Sequence, residues 1–373
     1  MKTTTTFTIL LLCISFIFAQ SDHSHTYSRS IEFPDIPGFK TLACDFHIHT
    51  VFSDGSVWPD IRVMEALRDG LDAISLTEHL EYQPHLDDIP HPDRNRSYEI
   101  AMREARDHDL LIIHGAEITR DMPPGHSNAI FIEDANKLMD KDPMKVFEEA
   151  KKQGAFVFWN HPNWISQRKD GIATITDMHK ELIEKDLLHG IEVVNDLTYS
   201  DEALQMALDN DLAVVGTSDI HGLVDWQYGI QKGGHRPVML VFAEDKSAEG
   251  IKEAMFAGRT AAYFKDLIVG KEEFLKPLFE SSLKINSAKY RGDTQVLLIE
   301  LENVSNAKIL LDNSSRYSFH AHSDIVEIPA KGTIKLEVKT LEIKEEILLN
   351  FEVLNGIIAP NQHPAIELKV DVE

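Results

Sequence analysis

The sequence predicts an α/β fold built from repeated βα units and followed by a small antiparallel β domain. Two observations support this fold class. From residue 41 to about residue 264, short apolar runs alternate with amphipathic segments, which is typical of repeated βα units. From about residue 282 onward, alternating strands are separated by Asn, Gly and Pro turns, as in a sandwich. We expect a first domain over residues 41–280 and a sandwich-like accessory domain over residues 281–373.

The elements of the first domain follow from local signals. One helix has Pro59 at its start and Gly70 in the capping position after it. Ser200, a favourable N-cap residue, begins another. The predicted strands are residues 42–49, 73–77, 110–116, 155–159, 190–194, 213–217 and 237–242. The predicted helices are residues 58–69, 144–153, 200–210 and 247–257.

The accessory domain shows a different pattern, with alternation of apolar and polar residues along each strand. Its predicted strands are residues 296–301, 309–311, 325–328, 333–338, 347–353 and 366–370. We find no candidate catalytic cluster among them. A packing or accessory role is therefore expected, and binding of a glycan or a partner is the alternative.

The N-terminal residues predict a secretory signal peptide over residues 1–20. Lys2 precedes an apolar run at residues 7–19 that is too short to span a membrane, and small Ala19 lies near its end. We expect cleavage after Ala19 or Gln20, a flexible lead-in over residues 21–40, and a secreted or periplasmic protein with no membrane anchor. The mature chain would keep only Cys44, so no intrachain disulfide could form.

The net charge limits the classes of partner. The formal charge of the chain is −24, which argues against stable binding to nucleic acid or to an anionic membrane, because both rely on Lys and Arg neutralising phosphates. A small-molecule phosphate ester stays possible, since bound divalent cations reverse the sign of the charge locally.

Nine metal-competent side chains fall at or just beyond the carboxyl ends of predicted strands, where (β/α) barrels build their active sites. Alternate residues of a strand share a face, so the first two histidines can reach one ion, and Asp219 and His221 repeat that spacing. Imidazole and carboxylate without Cys favour Zn, Mn or Fe. The nine residues are His47, His49, Asp54, His79, Glu117, His126, His161, Asp219 and His221.

The ordered motifs resemble those of the polymerase and histidinol phosphatase (PHP) family over residues 41–264. The matching segments are residues 45–50 (DFHIHT), 53–55 (SDG), 77–79 (TEH), 115–117 (GAE), 125–126 (GH), 160–162 (NHP) and 218–222 (SDIHG). Within that family the chain is similar to secreted bacterial phosphodiesterases of the Sb-PDE type. The resemblance implies a distorted (β/α)7 barrel with a trinuclear metal centre.

The resemblance also implies a role for each motif residue. The implied assignment gives the first ion to His47, His49, Glu117 and Asp219, the second to Glu117, His126 and His161, and the third to Asp54, His79 and His221. A metal-bridging hydroxide held by Glu117, with Asp219 and His221 supporting, would then hydrolyse a phosphodiester to a monoester and an alcohol. Three divalent ions would leave a cationic pocket suited to a phosphate.

Three arginines are candidates for holding the substrate. A polar, Pro-rich insertion at residues 81–96 follows His79 and is expected to overhang the metal ions. Arg94 or Arg96 within it, or Arg120 after Glu117, could clamp a phosphate through paired hydrogen bonds. The alternative is that they are surface arginines paired with nearby aspartates.

Three other functions stay open at this level. A phosphomonoesterase of the histidinol phosphatase kind would use the same metals. An amidohydrolase-type enzyme also begins with H-x-H in a (β/α) barrel, although Glu117 stands where that family wants a bridging lysine. A non-catalytic secreted metal-binding protein would account for the β domain and for His23 and His25 in the lead-in.

Overall fold

The computed structural model describes residues 29–373, and the predicted signal peptide lies outside them. The strands of the first domain are β1 (Lys40–Ile48), β2 (Ala73–Leu76), β3 (Leu111–Ile118), β4 (Ser127–Ile130), β5 (Phe156–Trp159), β6 (Gly190–Asn195), β7 (Thr198–Tyr199), β8 (Ala213–Thr217), β9 (Val238–Ala243), β10 (Thr260–Phe264) and β11 (Leu267–Gly270). Its helices are α1 (Pro59–Asp69), α2 (Arg96–Glu104), α3 (Pro143–Lys152), α4 (Asp177–Glu184), α5 (Asp201–Asp209), α6 (Val224–Gln227), α7 (Ala248–Phe256) and α8 (Glu272–Ser282).

The second domain begins directly after α8. Its strands are β12 (Leu283–Tyr290), β13 (Val296–Asn303), β14 (Ile309–Asn313), β15 (Ser318–Phe319), β16 (Ile325–Ile328), β17 (Thr333–Lys339), β18 (Glu346–Val353), β19 (Gly356–Ile357) and β20 (Ala365–Asp371). Two four-stranded sheets form, in the orders β12-β13-β17-β15 and β16-β14-β18-β20. Burial alternates strictly along β20, with its even-numbered residues inside, as expected for sheets that pack on one face.

A single curled sheet organises the first domain. Its order is β19-β11-β10-β9-β1-β2-β3-β4-β5-β6-β7, and β8 pairs with β6. The curl brings β8 back towards β1, where Ile48 and Ile220 form an isolated parallel bridge. Gly216 of β8 lies against β10, and a Cβ atom there would be 2.5 Å from Cβ of Ala262. The predicted α/β barrel with a C-terminal antiparallel β domain is therefore confirmed.

Most strands of the first domain are buried on both faces, because helices cover the outside of the curled sheet. All six residues of β9 are buried, as are all four of β2 and of β5. Cys44 in β1 is fully buried and is a small core residue. The predicted cap of α1 is present, since Gly70 has φ 68° and its N–H reaches the carbonyls of Ala66 and Leu67.

Two of the differences from the sequence expectation bear on the site and on the packing of the first domain. Strand β4 was not predicted, and it runs antiparallel to both β3 and β5. Residues 29–39 belong to the expected flexible lead-in, yet they pack on the first domain. Ile31 and Ile36 are buried, and Arg29 forms ion pairs with Asp69 and, at 2.5 Å, with Asp225. Apolar side chains spaced along this polar segment account for the difference.

No helix within residues 29–373 is long and apolar enough to cross a membrane.

Candidate metal centre

The candidate ligands converge at one end of the curled sheet. Parallel strands β1, β2, β3, β5 and β8 bring their carboxyl ends together there, and eight of the nine side chains follow or end these strands. His126 arrives differently, because it precedes β4. Since β4 is antiparallel to β3, with Glu117 opposite Asn128, the start of β4 meets the end of β3. The unpredicted strand is thus what brings His126 into the site.

Three overlapping groups of side chains place candidate ligand atoms within 4.8 Å of one another. These groups are His47, His49 and Asp219; His49, Asp54, His79 and His221; and His79, Glu117 and His126. The ninth residue, His161, has its Nε2 atom 3.7 Å from Oε1 of Glu117. All nine residues singled out from the sequence therefore lie together.

Glu117 is at the centre of this arrangement. Its Oε2 atom lies 3.6 Å from Nε2 of His47 and 3.5 Å from Nε2 of His49. Its Oε1 atom lies 2.9 Å from Nδ1 of His126. The carboxylate is fully buried, so it is positioned to be shared between neighbouring groups, as a bridging ligand would be.

Several buried polar atoms in these groups have no hydrogen-bond partner among the described residues. They are Nε2 of His47, Nε2 of His49, Oδ1 of Asp54, Oε2 of Glu117, Nδ1 of His161 and Oδ1 of Asp219. Leaving one such atom unsatisfied costs about 1–3 kcal/mol, so six together would be a heavy penalty for a purely structural cluster. Neutral imidazole nitrogens and carboxylate oxygens that face one another fit divalent metal ions.

The electrostatics of the cluster favour ionised carboxylates. Burial would raise the pKa of Glu117, but the charges of His79, His126 and His47 outweigh it and hold the pKa well below its usual range. Burial would also raise the pKa of Asp54, but hydrogen bonds from His221 and His79 outweigh it and hold the pKa well below its usual range.

The pKa values of two histidines in the cluster shift in opposite directions. Burial, together with the charges of His221 and His79, lowers the pKa of His49 to about 3, so its imidazole is neutral and able to act as a ligand. Burial also opposes protonation of His79, but Glu117 and Asp54 raise its pKa to about 10. A metal ion and a proton therefore compete for His79.

The two short motifs that supply paired ligands are tied together through the backbone. The N–H of His49 donates to the carbonyl of Ile220 at 3.1 Å. From beneath, the buried guanidinium of Arg62 in α1 donates to the carbonyls of His49, Ile220 and Gly222 at 3.0, 3.2 and 2.7 Å. Arg62 was not among the predicted residues, and it fixes both motifs relative to each other.

Glu192, in the middle of β6, is the most connected residue that sequence reasoning missed. Its Oε1 atom accepts from Nδ1 of His47 at 2.7 Å and from Oγ1 of Thr217 at 2.5 Å. Its Oε2 atom accepts from the N–H of His161 at 2.7 Å and from Nδ2 of Asn195 at 2.8 Å. Fixing the proton of His47 on Nδ1 directs the Nε2 lone pair towards Glu117 and Asp219.

Asn160 and Glu78 also support the site, each through specific contacts. Nδ2 of Asn160, the residue before His161, donates to Oε1 of Glu117 at 2.9 Å. Glu78 accepts from the N–H and the hydroxyl of Thr50, at 3.1 and 2.6 Å, and from the hydroxyl of Ser53 at 2.6 Å. Glu78 thus fixes the turn between His49 and Asp54.

Backbone strain coincides with two of the candidate ligands. His161 has φ 29° and Asp219 has φ 49°, values that residues with a side chain rarely adopt. Each is the second residue after the end of a buried strand. Such strain persists only where surrounding contacts impose it, and it is concentrated at functional sites.

A cavity of about 560 Å³ opens over the cluster. Six of its lining residues are candidate ligands, and the others come from the segment after β5, from residues 195–198 and from the end of α6. The lining residues are Asp54, His79, His126, His161, Asn163, Trp164, Ile165, Gly171, Asn195, Asp196, Thr198, Asp219, His221 and Gln227.

None of the three predicted substrate-binding arginines lines this cavity. Arg96 pairs with Glu99 at 3.1 Å on the surface of α2, and Arg120 pairs with Glu81 at 2.7 Å. The guanidinium of Arg94 donates to the carbonyl of His91 at 3.4 Å. These contacts correspond to surface arginines with local partners, so we assign none of the three to the substrate site.

The insertion at residues 81–96 contacts the cluster at His79, where the side-chain amide of Gln83 donates to the backbone carbonyl. The ring of Tyr82 lies edge-on to His79, with centroids 5.8 Å apart. The insertion contributes no residue to the cavity wall, which is formed instead by residues 163–171 and 195–198. The polar composition of the insertion predicted its exposure but not the direction in which it folds.

Comparison with known proteins identifies proteins that resemble this chain. A crystal structure from Bacteroides vulgatus, described as a two-domain protein containing a predicted PHP-like metal-dependent phosphoesterase, is 42% identical, with a TM-score of 0.85, over 91% of this chain and 98% of that one. A candidate metal-dependent phosphoesterase from Bifidobacterium adolescentis is 18% identical, with a TM-score of 0.37, over 48% of this chain and 87% of that one. A family model described as an Ig-like domain matches residues 283–369. The comparison with curated proteins returned no match.

Fold and site together define the class, a two-domain metal-dependent phosphoesterase. With 42% identity to a relative whose length it covers almost completely, the chain belongs to the PHP-like family. The resemblance that the motifs carried is confirmed, and the second domain is Ig-like.

Proposed function

We propose that the chain is a phosphodiesterase that hydrolyses a phosphodiester to a monoester and an alcohol at a trinuclear metal centre. The observation that carries this proposal is the set of three ligand groups that overlap through His49 and His79, beneath a cavity of about 560 Å³. In this proposal the nine clustered side chains hold three divalent ions, which are Zn, Mn or Fe. When bound, such ions polarise the phosphoryl group and supply a nucleophile from water at neutral pH.

The residues of the chain have distinct tasks in this proposal. The ionised carboxylates of Glu117, Asp219 and Asp54 compensate the charge of the ions. Nδ2 of Asn195 orients Asp219, since it donates to Oδ2 at 3.2 Å. Glu192 and Asn160 hold the buried ligands in place, so that little reorganisation accompanies the reaction.

The cavity supports a diester over a monoester. A phosphomonoester carries up to two negative charges, whereas a diester carries one. Within residues 29–373, no Lys or Arg lines the cavity, and Asp196 adds a carboxylate to its wall away from the ligand groups. The volume beyond the ligands accommodates a second ester group, which a monoester does not have.

The proposed location is outside the cytoplasm. The support is the N-terminal sequence, with Lys2, the apolar run at residues 7–19 and small Ala19. Sequencing the N-terminus of protein recovered from the periplasm or the medium tests this proposal. An N-terminus at Gln20 or Ser21 is expected, and an intact Met1 in a cytoplasmic fraction would refute it.

The activity is tested by reconstitution. Protein stripped with a chelator is reloaded with Zn²⁺, Mn²⁺ or Fe²⁺, and kcat/KM is measured for bis(p-nitrophenyl) phosphate and for p-nitrophenyl phosphate. We expect hydrolysis of the diester with a higher kcat/KM than the monoester, and three ions per chain by elemental analysis. Activity confined to the monoester would favour the histidinol phosphatase kind of enzyme, and no activity on either would overturn the proposal.

His221→Ala separates the third ion from the other two. The side chain of His221 is 39% exposed and its Nε2 atom lies 3.2 Å from Oδ1 of Asp54. We expect this variant to bind two ions, to lose most activity and to keep its far-ultraviolet circular dichroism and melting temperature. Full metal content with full activity would show that His221 does not hold an ion of the centre.

A further inference from the structure

One wall of the cavity is apolar, and the proposed hydrolysis does not use it. Trp164 and Ile165 line this wall and are 43% and 69% exposed. Large apolar side chains exposed in a concave site next to reactive groups favour contact with a ligand, because binding removes their surface from water.

The apolar wall is held beside the ligand groups by a compact turn. The N–H of Trp164 donates to the carbonyl of His161 at 2.9 Å, and the carbonyl of Trp164 accepts from the N–H of Arg168 at 2.7 Å. The indole centroid lies 5.1 Å from that of His161 and 5.6 Å from that of His126. Whatever is bound at the ligand groups is therefore within reach of the indole.

A second part of the cavity lining is polar and offers no positive charge. Asn195, Asp196, Thr198 and Gln227 line it. Oδ1 of Asp196 accepts a hydrogen bond from Nε2 of Gln227 at 2.7 Å. This neutral donor leaves the negative charge of the carboxylate in the wall. Among the described lining residues no Lys or Arg could pair with a second phosphate, and Asp196 would repel one.

We propose that Trp164 and Ile165 form a subsite for an uncharged aromatic ester group of the substrate. This inference rests on the proposed phosphodiesterase function and deepens it, because it names the substrate class as a monoanionic diester with a flat aromatic group on the phosphorus. The aromatic ring packs on the indole and on the Ile165 side chain, and the polar wall faces the remaining ester group.

The test keeps the leaving group constant. Metal-loaded protein is assayed with p-nitrophenyl phenyl phosphate and p-nitrophenyl methyl phosphate, and the ratio of the two kcat/KM values is compared between wild type and variants. Comparing ratios cancels the different intrinsic reactivities of the two diesters. We expect Trp164→Ala to lower the phenyl-to-methyl ratio about tenfold, mainly through KM for the phenyl ester, and Ile165→Ser to lower it severalfold.

Trp226→Ala is the matched control, since Trp226 is 81% exposed and does not line the cavity. Its ratio should equal that of the wild type. Metal content is measured for every variant, because loss of an ion would slow both diesters alike. Unchanged ratios in both cavity variants, or an equal loss on both diesters, overturn the subsite alone. If the wild type hydrolyses neither diester, the proposed function fails and the subsite with it.

Discussion

The two domains treat buried polar side chains in opposite ways. In the first domain, charged groups such as Arg62, Glu117 and Glu192 are fully or almost fully buried at one end of the sheet. Within residues 283–373, the buried polar residues are uncharged and few: Asn303, Ser305, Thr340 and Asn355. Burying a charge is costly unless it is paired or binds a metal. The first domain is therefore less stable at the end of the sheet where the candidate ligands lie than it would be with an apolar interior there.

The hydrogen bonds of the two domains show the same difference. The side-chain amides of Asn303 and Asn355 donate hydrogen bonds to backbone carbonyls. Nδ2 of Asn303, for example, donates to the carbonyl of Ala307 at 2.8 Å. Glu192 instead holds other side chains and the backbone of a candidate ligand. Buried polar groups thus stabilise loops in the second domain and prepare a site in the first, and substitutions should separate these two roles.

The largest effect is expected for Glu117→Gln. Replacing the shared carboxylate removes a charge that compensates the ions, and several kcal/mol of transition-state stabilisation correspond to about a 10³-fold loss in kcat/KM. Elemental analysis should show fewer ions per chain. Glu367→Gln, at an exposed position of β20, is the control and should change neither. Full activity of Glu117→Gln would break the assignment of this residue.

Phe351→Ala should show the reverse pattern. Phe351 is fully buried in β18, and removing a buried Phe side chain costs about 3–5 kcal/mol of unfolding free energy. Urea denaturation should report that loss, while metal content and kcat/KM of the folded protein stay at wild-type values. Ile325→Ala, at a position 52% exposed in the same domain, should be nearly neutral. A fall in metal content of folded Phe351→Ala would show that the domains do not divide these roles.

Glu192→Gln should weaken metal binding without removing a ligand. Each carboxylate oxygen of Glu192 accepts two hydrogen bonds. In the Gln variant the NH₂ group replaces one of these acceptors, so it faces two donors whichever way the amide is turned. Losses of about 10- to 100-fold in metal affinity are typical for such supporting residues, and competition with a chromogenic chelator measures them. Glu184→Gln, exposed on α4, is the control. Equal affinities for Glu192→Gln and wild type would reduce Glu192 to a packing residue.

The smallest effect concerns a buried histidine outside the ligand groups. Burial lowers the pKa of His179 from 6.5 to about 4, and its ring stacks on Trp159 at a centroid distance of 3.8 Å. The unfolded chain therefore binds a proton that the folded chain does not bind between these pH values. The unfolding free energy should fall as the pH drops from about 6.5 to about 4, by at most about 1.4 kcal/mol per pH unit for this group.

Urea denaturation at pH 7, 6 and 5 measures this dependence. His179→Gln cannot take up a proton, so its unfolding free energy should fall less steeply than that of the wild type over this range. The slope rather than the absolute stability is compared, because the variant also loses the stacking on Trp159. Identical slopes would mean that His179 takes up its proton at the same pH in the folded and the unfolded chain.

The strands and the ligand residues could be predicted from local patterns. Strand β8 was predicted with its observed bounds, residues 213–217, because an apolar run ends there in Ser218 and Asp219. The H-x-H and D-x-H spacings placed side chains on one face, and their order along the chain identified the family. These signals are short-range, so one sequence is enough to read them.

Glu192 and the arginines were beyond such reasoning, because distant contacts decide their roles. The single signal for Glu192 is a carboxylate within the apolar run of β6, which pairing with His47 explains only after the sheet has curled. Arg94 and Arg96 were placed by the expected direction of the insertion at residues 81–96, and Arg120 by its position after Glu117. That direction depends on packing against other loops, and residues 163–171 form the cavity wall instead.

The pairing of β19 with β11 has a consequence for the solubility of the protein. Ile268 and Val269 of β11 pair with Gly356 and Ile357 of β19. Strand β11 is the last strand that the first domain contributes to the curled sheet, and it therefore has hydrogen-bond partners on both sides. Without the second domain, β11 would present unpaired backbone groups and apolar side chains, a surface on which sheets of separate molecules associate. The Ig-like domain covers this edge of the first domain, and we expect a fragment ending at Ser282 to aggregate even though it contains every candidate ligand.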